Sequence, residues 1–116
     1  MSPAEAFRAE AGKRILIKDG AYGTQVQARR LAESDYRGAL DLGRDQKGNN
    51  DLLNLTRPEL VSEIAQSFAD AGADILATNS FNANRISQAD YAAEHLVHEI
   101  NAAAARKAAA TFMLSP

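Results

Sequence analysis

Cysteine is absent from the 116 residues. No disulfide and no thiolate metal site can form within the chain, and the composition fits a reducing compartment, so the cytoplasm is the expected setting. An excess of one charge is absent too: 13 Lys and Arg stand against 15 Asp and Glu, a formal net charge of −2. That balance offers no basic face to nucleic acid or to an anionic membrane. The pairs Arg29-Arg30 and Arg106-Lys107 are too isolated to make one. No apolar run approaches a membrane span, and the first residues lack the apolar centre of a signal peptide. The glycines show no Gly-x-Gly-x-x-Gly spacing, which argues against a dinucleotide site.

What is present is an ordinary globular balance, 46% hydrophobic and 24% charged, in a chain long enough for one domain with a real core. Ser2-Pro3-Ala4-Glu5 reads as a capping box that opens an alanine-rich helix ending at Gly12. Ile15 to Lys18 reads as a short strand, apolar enough to be buried on both faces as in a parallel sheet. Thr24 can cap a helix to about Leu31 or Ala32, with Val26 and Leu31 among its apolar residues. Glu33 to Asn50 is polar and lacks a sustained period. It reads equally as a long functional loop or as charged disorder.

Thr56-Arg57-Pro58-Glu59 is a second capping-box pattern. The helix after it places Leu60, Val61, Ile64, Ala65, Phe68 and Ala71 on one face and meets a stop at Gly72. Ile75 to Thr78 reads as a second strand, and the strand–helix–strand order implies a right-handed parallel crossover. A short helix is expected over Asn84 to Tyr91. A longer one is expected from about Ala93 to Thr111, with Leu96, Val97, Ile100 and Ala104 inward.

Two polar clusters therefore fall at strand carboxyl ends, where α/β proteins place binding groups. The first is Asp19-Gly20-Ala21-Tyr22-Gly23-Thr24, and the second is Asn79-Ser80-Phe81-Asn82. Asp19-Gly20 could form a hairpin turn, but the segment after it reads as helix. Asp19 could also cap that helix, and Thr78-Asn79-Ser80 could be plain turn chemistry. His95 and His98, flanked by Glu94 and Glu99, could hold a metal, although a solvated helix face explains them more simply.

Four blocks carry a family resemblance: Asp19 to Thr24, Gly48 to Glu59, Ala71 to Ala83, and Ile86 to Tyr91. In this order and spacing they resemble the homocysteine S-methyltransferase domain family. Within it they are most similar to the amino-terminal module of the cobalamin-dependent methionine synthase branch. The likeness runs from about Arg14 to Ala105.

The resemblance implies an α/β fold, the first part of a (β/α)8 TIM barrel, with about two parallel strands and their helices, incomplete in this chain. Such a barrel needs about 250 residues. Residues 1–116 are then expected to be the amino-terminal portion of a homocysteine-binding domain. The implied reaction is methyl transfer to the homocysteine thiol, forming methionine. Zinc held by three cysteines activates the sulfur, and methylcobalamin on a separate module of the same or another chain supplies the methyl group.

Carried onto this sequence, Asp19 would bind the substrate ammonium. Gly20, Ala21 and Tyr22 would line its amino-acid end, and Thr78 and Asn79 would shape the floor. Asn49, Asn50 and Asp51 match a loop near the mouth. The family's cysteines have no counterpart here, so no catalytic or metal residue is assigned and the chain alone is expected to be inactive. Two alternatives stand beside this reading. One is a non-catalytic module that completes its exposed sheet edges by self-association or with another chain. The other is a family member using a different methyl donor.

Overall fold

Local sequence signals set the two best-defined ends in the fold. In the computed structural model, which describes residues 1–114, helix α1 (Pro3–Ala11) starts where Ser2 Oγ accepts the Glu5 N–H at 3.2 Å. It closes at Gly12, as its capping pattern predicts. Helix α5 (Pro58–Asp70) has Pro in its first turn and ends at Gly72, whose φ of 106° is a left-handed conformation that favours glycine. There the Ala73 N–H returns to the Phe68 carbonyl at 3.0 Å, a Schellman closure that satisfies a carbonyl the helix would otherwise leave open.

The other helices are shorter or shifted. Helix α2 is Tyr22–Ala28, so Thr24 lies inside it rather than capping it, and the chain leaves it through Arg30 at φ 50°. Helix α3 (Glu33–Arg37) occupies the start of the stretch expected to be loop or disorder. The remainder of that stretch is pinned: Arg37 donates to the carbonyls of Leu42 and Arg44 at 2.6 and 2.8 Å. A 3-10 turn, Asn50–Leu52, runs into helix α4 (Leu53–Thr56). Thr56 donates to the Leu52 carbonyl at 3.3 Å instead of capping α5, so the second capping box does not form. Helix α6 (Arg85–Ala89) is capped by Asn84, whose Oδ1 accepts the Ser87 N–H. A 3-10 turn, Glu94–Leu96, leads into helix α7 (Val97–Leu114).

The expected α/β architecture is not what forms. The fold is helical, and among the described residues the strand pairing amounts to one parallel bridge, Lys18 to Ile75. Among the described residues there is no sheet, no barrel portion and no parallel crossover. The reason lies at the two ends of the pairing. The Ile75 and Asp74 N–H groups donate to the Ile17 carbonyl, and the Asp19 N–H donates to the Ile75 carbonyl at 2.9 Å. On one side, however, the Ile17 N–H goes to the Asp74 carboxylate, and on the other the Ala77 N–H goes to the Asp19 carboxylate, both at 2.9 Å. Two side chains take the amides that a longer ladder would have given to backbone carbonyls. Burial does not drive a ladder either, because Ile15 is 88% and Ile17 57% exposed. Among the described residues no sheet offers the edges on which the expected self-association rested.

The core lies in two adjoining clusters. Val26, Tyr36, Leu53, Leu60, Val61 and Ile64 form the first, with Tyr22, Leu31 and Phe68 packed against it. Leu42, Leu52, Ala83, Ala93 and Ile100 form the second, with Tyr91 and Leu96 beside it. Fully buried side chains of the Leu and Ile kind each contribute on the order of 1.5–3 kcal/mol of transfer free energy. Helix α5 packs on α7, and α4 lies against both. Ile100 and Ala104 are inward as their spacing predicts, while Leu96 and Val97 are half-buried and Ala71 is exposed. No helix among the described residues is long and apolar enough to cross a membrane.

Candidate functional site

The Lys18–Ile75 bridge brings the turn after residue 19 beside the turn after residue 76, and a cavity of about 590 Å³ opens between them. Gly20, Ala21, Tyr22 and Gly23 line one side, and Ala77 to Asn82 line the other. Gly48, Asn50 and Asp51 complete it. Five of the residues singled out in the sequence, Gly20, Ala21, Tyr22, Thr78 and Asn79, thus surround one space. The sixth, Asp19, does not line it.

Asp19 sits behind the wall with its side chain fully buried. One carboxylate oxygen accepts the Ala77 N–H and the other meets the Lys18 ammonium at 3.2 Å. Its geometry is that of a pin between the two turns. Gly20 packs tightly: a Cβ there would lie 2.9 Å from Phe68 Cε1, so a larger residue would have to displace the ring. Phe68 in turn packs on the Tyr22 ring, with centroids 6.0 Å apart and tilted at 55°. Burial, reinforced by the nearby Asp19 charge, pushes the Tyr22 hydroxyl up to about 12. Tyr22 is therefore neutral at physiological pH.

The opposite wall is tied by amides. Asn54, which the sequence reading did not single out, donates from Nδ2 to the carbonyls of Asp51 and Asn79 at 2.7 and 2.6 Å. Asn79 Nδ2 donates to the Asn50 carbonyl at 3.0 Å, and Asp51 Oδ2 accepts the Asn82 N–H at 2.9 Å. Below them, Asn49 and Gln88 exchange a reciprocal pair of side-chain bonds at 2.9 and 3.0 Å. Gln46 extends the lock by accepting from Asn49 and donating to the Tyr91 carbonyl at 2.7 Å. Gln46, Asn49 and Gln88 are all buried. Nothing in the periodicity marks this trio, because its members come from separate segments.

Asp51 is buried at 5% exposure, and desolvation raises its pKa despite the Asn82 N–H and its own N–H. Every other lining residue is uncharged. Phe81 stands at the mouth, 95% exposed. His95 and His98 are exposed and away from the cavity, and among the described residues no three His, Cys, Asp or Glu side chains converge on a metal position.

This cavity can hold a small polar molecule. It has hydroxyl and amide groups on Thr78, Ser80, Asn79 and Asn82, an apolar surface from Tyr22 and Phe81, and one negative charge. The segments that form it fall within residues 16–113, which match the family model for homocysteine S-methyltransferase. The chain therefore belongs to the homocysteine S-methyltransferase family, whose reaction is methyl transfer to homocysteine.

Proposed function

We propose that the cavity is the homocysteine pocket and that the chain supplies the homocysteine-binding part of a methionine synthase. The observation that carries this reading is the meeting of Gly20-Ala21-Tyr22 with Thr78-Asn79 around one space. Residues distant in sequence are brought there by a single bridge and one buried carboxylate. In this reading Gly20 lets the backbone pass close to Phe68, Tyr22 offers a neutral hydroxyl, and Thr78 and Asn79 form the floor. Asp19 positions both turns. The four sequence blocks that resemble the cobalamin-dependent branch support methylcobalamin as the donor, brought by a separate module.

Zinc does not fit the residues of this chain. There is no cysteine, and no cluster of three ligating side chains exists among the described residues. Nor is a cavity of about 590 Å³ large enough to enclose a corrin ring with its nucleotide tail. The chemistry assigned to this chain is therefore recognition: it binds, orients and partly desolvates the amino acid, and it carries no group that would activate the sulfur.

Isothermal titration of the chain with L-homocysteine tests the reading. Saturable one-to-one binding is expected, with no methionine formed when the chain alone is given homocysteine and methylcobalamin. Absence of binding, or turnover by the chain alone, would overturn it.

A further inference from the structure

A buried tie in the cavity wall leaves one of its own atoms unmet. Asn54, on α4 and 2% exposed, lies behind the lining rather than on it. Its Nδ2 faces two carbonyl oxygens, those of Asp51 at 2.7 Å and Asn79 at 2.6 Å. Carbonyls only accept, so the amide is fixed with its nitrogen towards them and both of its hydrogens are used. Its Oδ1 is then turned to a place that offers no donor. Among the described residues it is the buried side-chain oxygen or nitrogen that no hydrogen bond reaches. A buried acceptor left unmet lowers stability.

A leucine has nearly the same shape and would leave no such atom. What the amide adds is its pair of bonds. The Asp51 carbonyl also accepts the Leu53 N–H, so the local turn does not depend on Asn54. The bond to Asn79 is different. It spans 25 residues and reaches the turn that carries Thr78, Asn79 and Ser80 along the cavity. We infer that Asn54 is a positioning residue for the ligand: its amide sets the spacing between the wall at residues 50–51 and the wall at residues 78–82, and it is kept there at a cost in stability. The inference rests on the homocysteine reading for the ligand. Asn54 acts only through the two walls, so replacing it changes affinity without removing a group from the lining.

The test uses the full chain with Asn54→Leu and, for comparison, Ile100→Val, a fully buried core position absent from the lining. Each protein is followed by urea unfolding, by titration with L-homocysteine, and by the carbonyl carbon resonances of Asp51 and Asn79. Removing the unmet oxygen offsets the lost bonds, so the urea midpoint of Asn54→Leu should be no lower than that of Ile100→Val. Homocysteine affinity should nevertheless fall about tenfold or more in Asn54→Leu, because small misplacements of binding groups are felt strongly. Ile100→Val should bind as the unsubstituted chain does. Both carbonyl resonances should move in Asn54→Leu alone. Unchanged affinity in a folded Asn54→Leu overturns the inference and leaves the homocysteine pocket standing. Equal losses of affinity in the two variants overturn it as well, since general loosening would then explain both. No binding of homocysteine to the unsubstituted chain overturns the pocket reading and the inference with it. Should Asn54→Leu fail to fold, side-chain amide exchange in the unsubstituted chain decides. Saturating homocysteine must slow exchange of the Asn54 Nδ2 hydrogens more than that of the Gln46 Nε2 hydrogens, and equal slowing refutes the proposal.

Discussion

Two regions hold the walls of the cavity, and they use opposite means. The seam joins residues 14–19 to residues 74–77 with backbone bonds, two aspartates and an exposed arginine. The lock joins residues 44–54 to residues 79–91 with buried side-chain amides. Exposed ion pairs such as Arg14–Asp74 contribute little because water and salt screen them. Buried amides contribute modestly when satisfied, but orphaning one is expensive. The lock is therefore brittle and specific, whereas the seam is tolerant except at the buried carboxylate of Asp19.

The sharpest way to break this contrast is Gln88→Leu. It removes the donor to Asn49 Oδ1 and to the Asn82 carbonyl, and the acceptor for Asn49 Nδ2, in a fully buried place. We expect a loss of roughly 2–3 kcal/mol in urea unfolding, the range for orphaned buried polar groups. A loss near zero would mean that the lock is no more demanding than the seam. Asp19→Ala comes next. It strips the acceptor from the Ala77 N–H, and about 1–2 kcal/mol should be lost. Because Asp19 acts here as a pin, homocysteine binding should weaken through distortion. Binding of norvaline, which lacks the sulfur, and of 4-mercaptobutanoate, which lacks the amine, should weaken alongside it. A loss confined to ligands with an amine would give Asp19 the ammonium and remove its role as a pin.

The lock and the seam also differ in how readable they were. Helices α1 and α5 were legible because their signals are local: Ser2 with Pro3, Pro58 in a first turn, Gly72 after an apolar face. Ile15 to Lys18 and Ile75 to Thr78 read as strands, but among the described residues they meet in a single bridge, and that failure to make a sheet was not legible. An apolar run with β-branched residues looks the same whether its amides go to a neighbouring strand or to Asp74 and Asp19. Side-chain carboxylates decide that, and only the folded arrangement brings them within reach. The gathering of Gly20 to Tyr22 with Thr78 and Asn79 could be anticipated from segment ends and from the family resemblance. The trio Gln46, Asn49 and Gln88 could not, since polar residues from separate segments, two in loops and Gln88 on α6, share no period. The reading of Glu33 to Asn50 as loop or disorder missed α3 for the same reason: five residues, fastened by an Arg37–Glu33 pair at 3.0 Å, are too few to show one.

The smallest expected effect separates the regions by sign. In the seam, the Arg14 guanidinium, then the Ile17 N–H, hold the Asp74 carboxyl at about 2, below its ordinary 3.8. A lowered pKa in the fold stabilises it above pH 3.8, and that contribution disappears as pH falls towards about 2. At the cavity wall, burial raises Asp51 above 3.8. There the fold binds a proton that the unfolded chain does not, so stability rises as pH falls from neutrality through the raised value, and is level below 3.8. Thermal melts across acid pH should show the Asp51 gain first and the Asp74 loss after it. Glu33 and Glu59, each lowered chiefly by an arginine partner, add to the loss, so each limb is read as a difference from the unsubstituted chain. Asp51→Asn should remove the gain and leave the loss. Asp74→Asn should shrink the loss, as should molar salt, where the screening length falls to about 3 Å. If salt instead flattened the Asp51 limb and spared the Asp74 limb, the exposed and the buried acid would have exchanged places, and the division between seam and lock would fail.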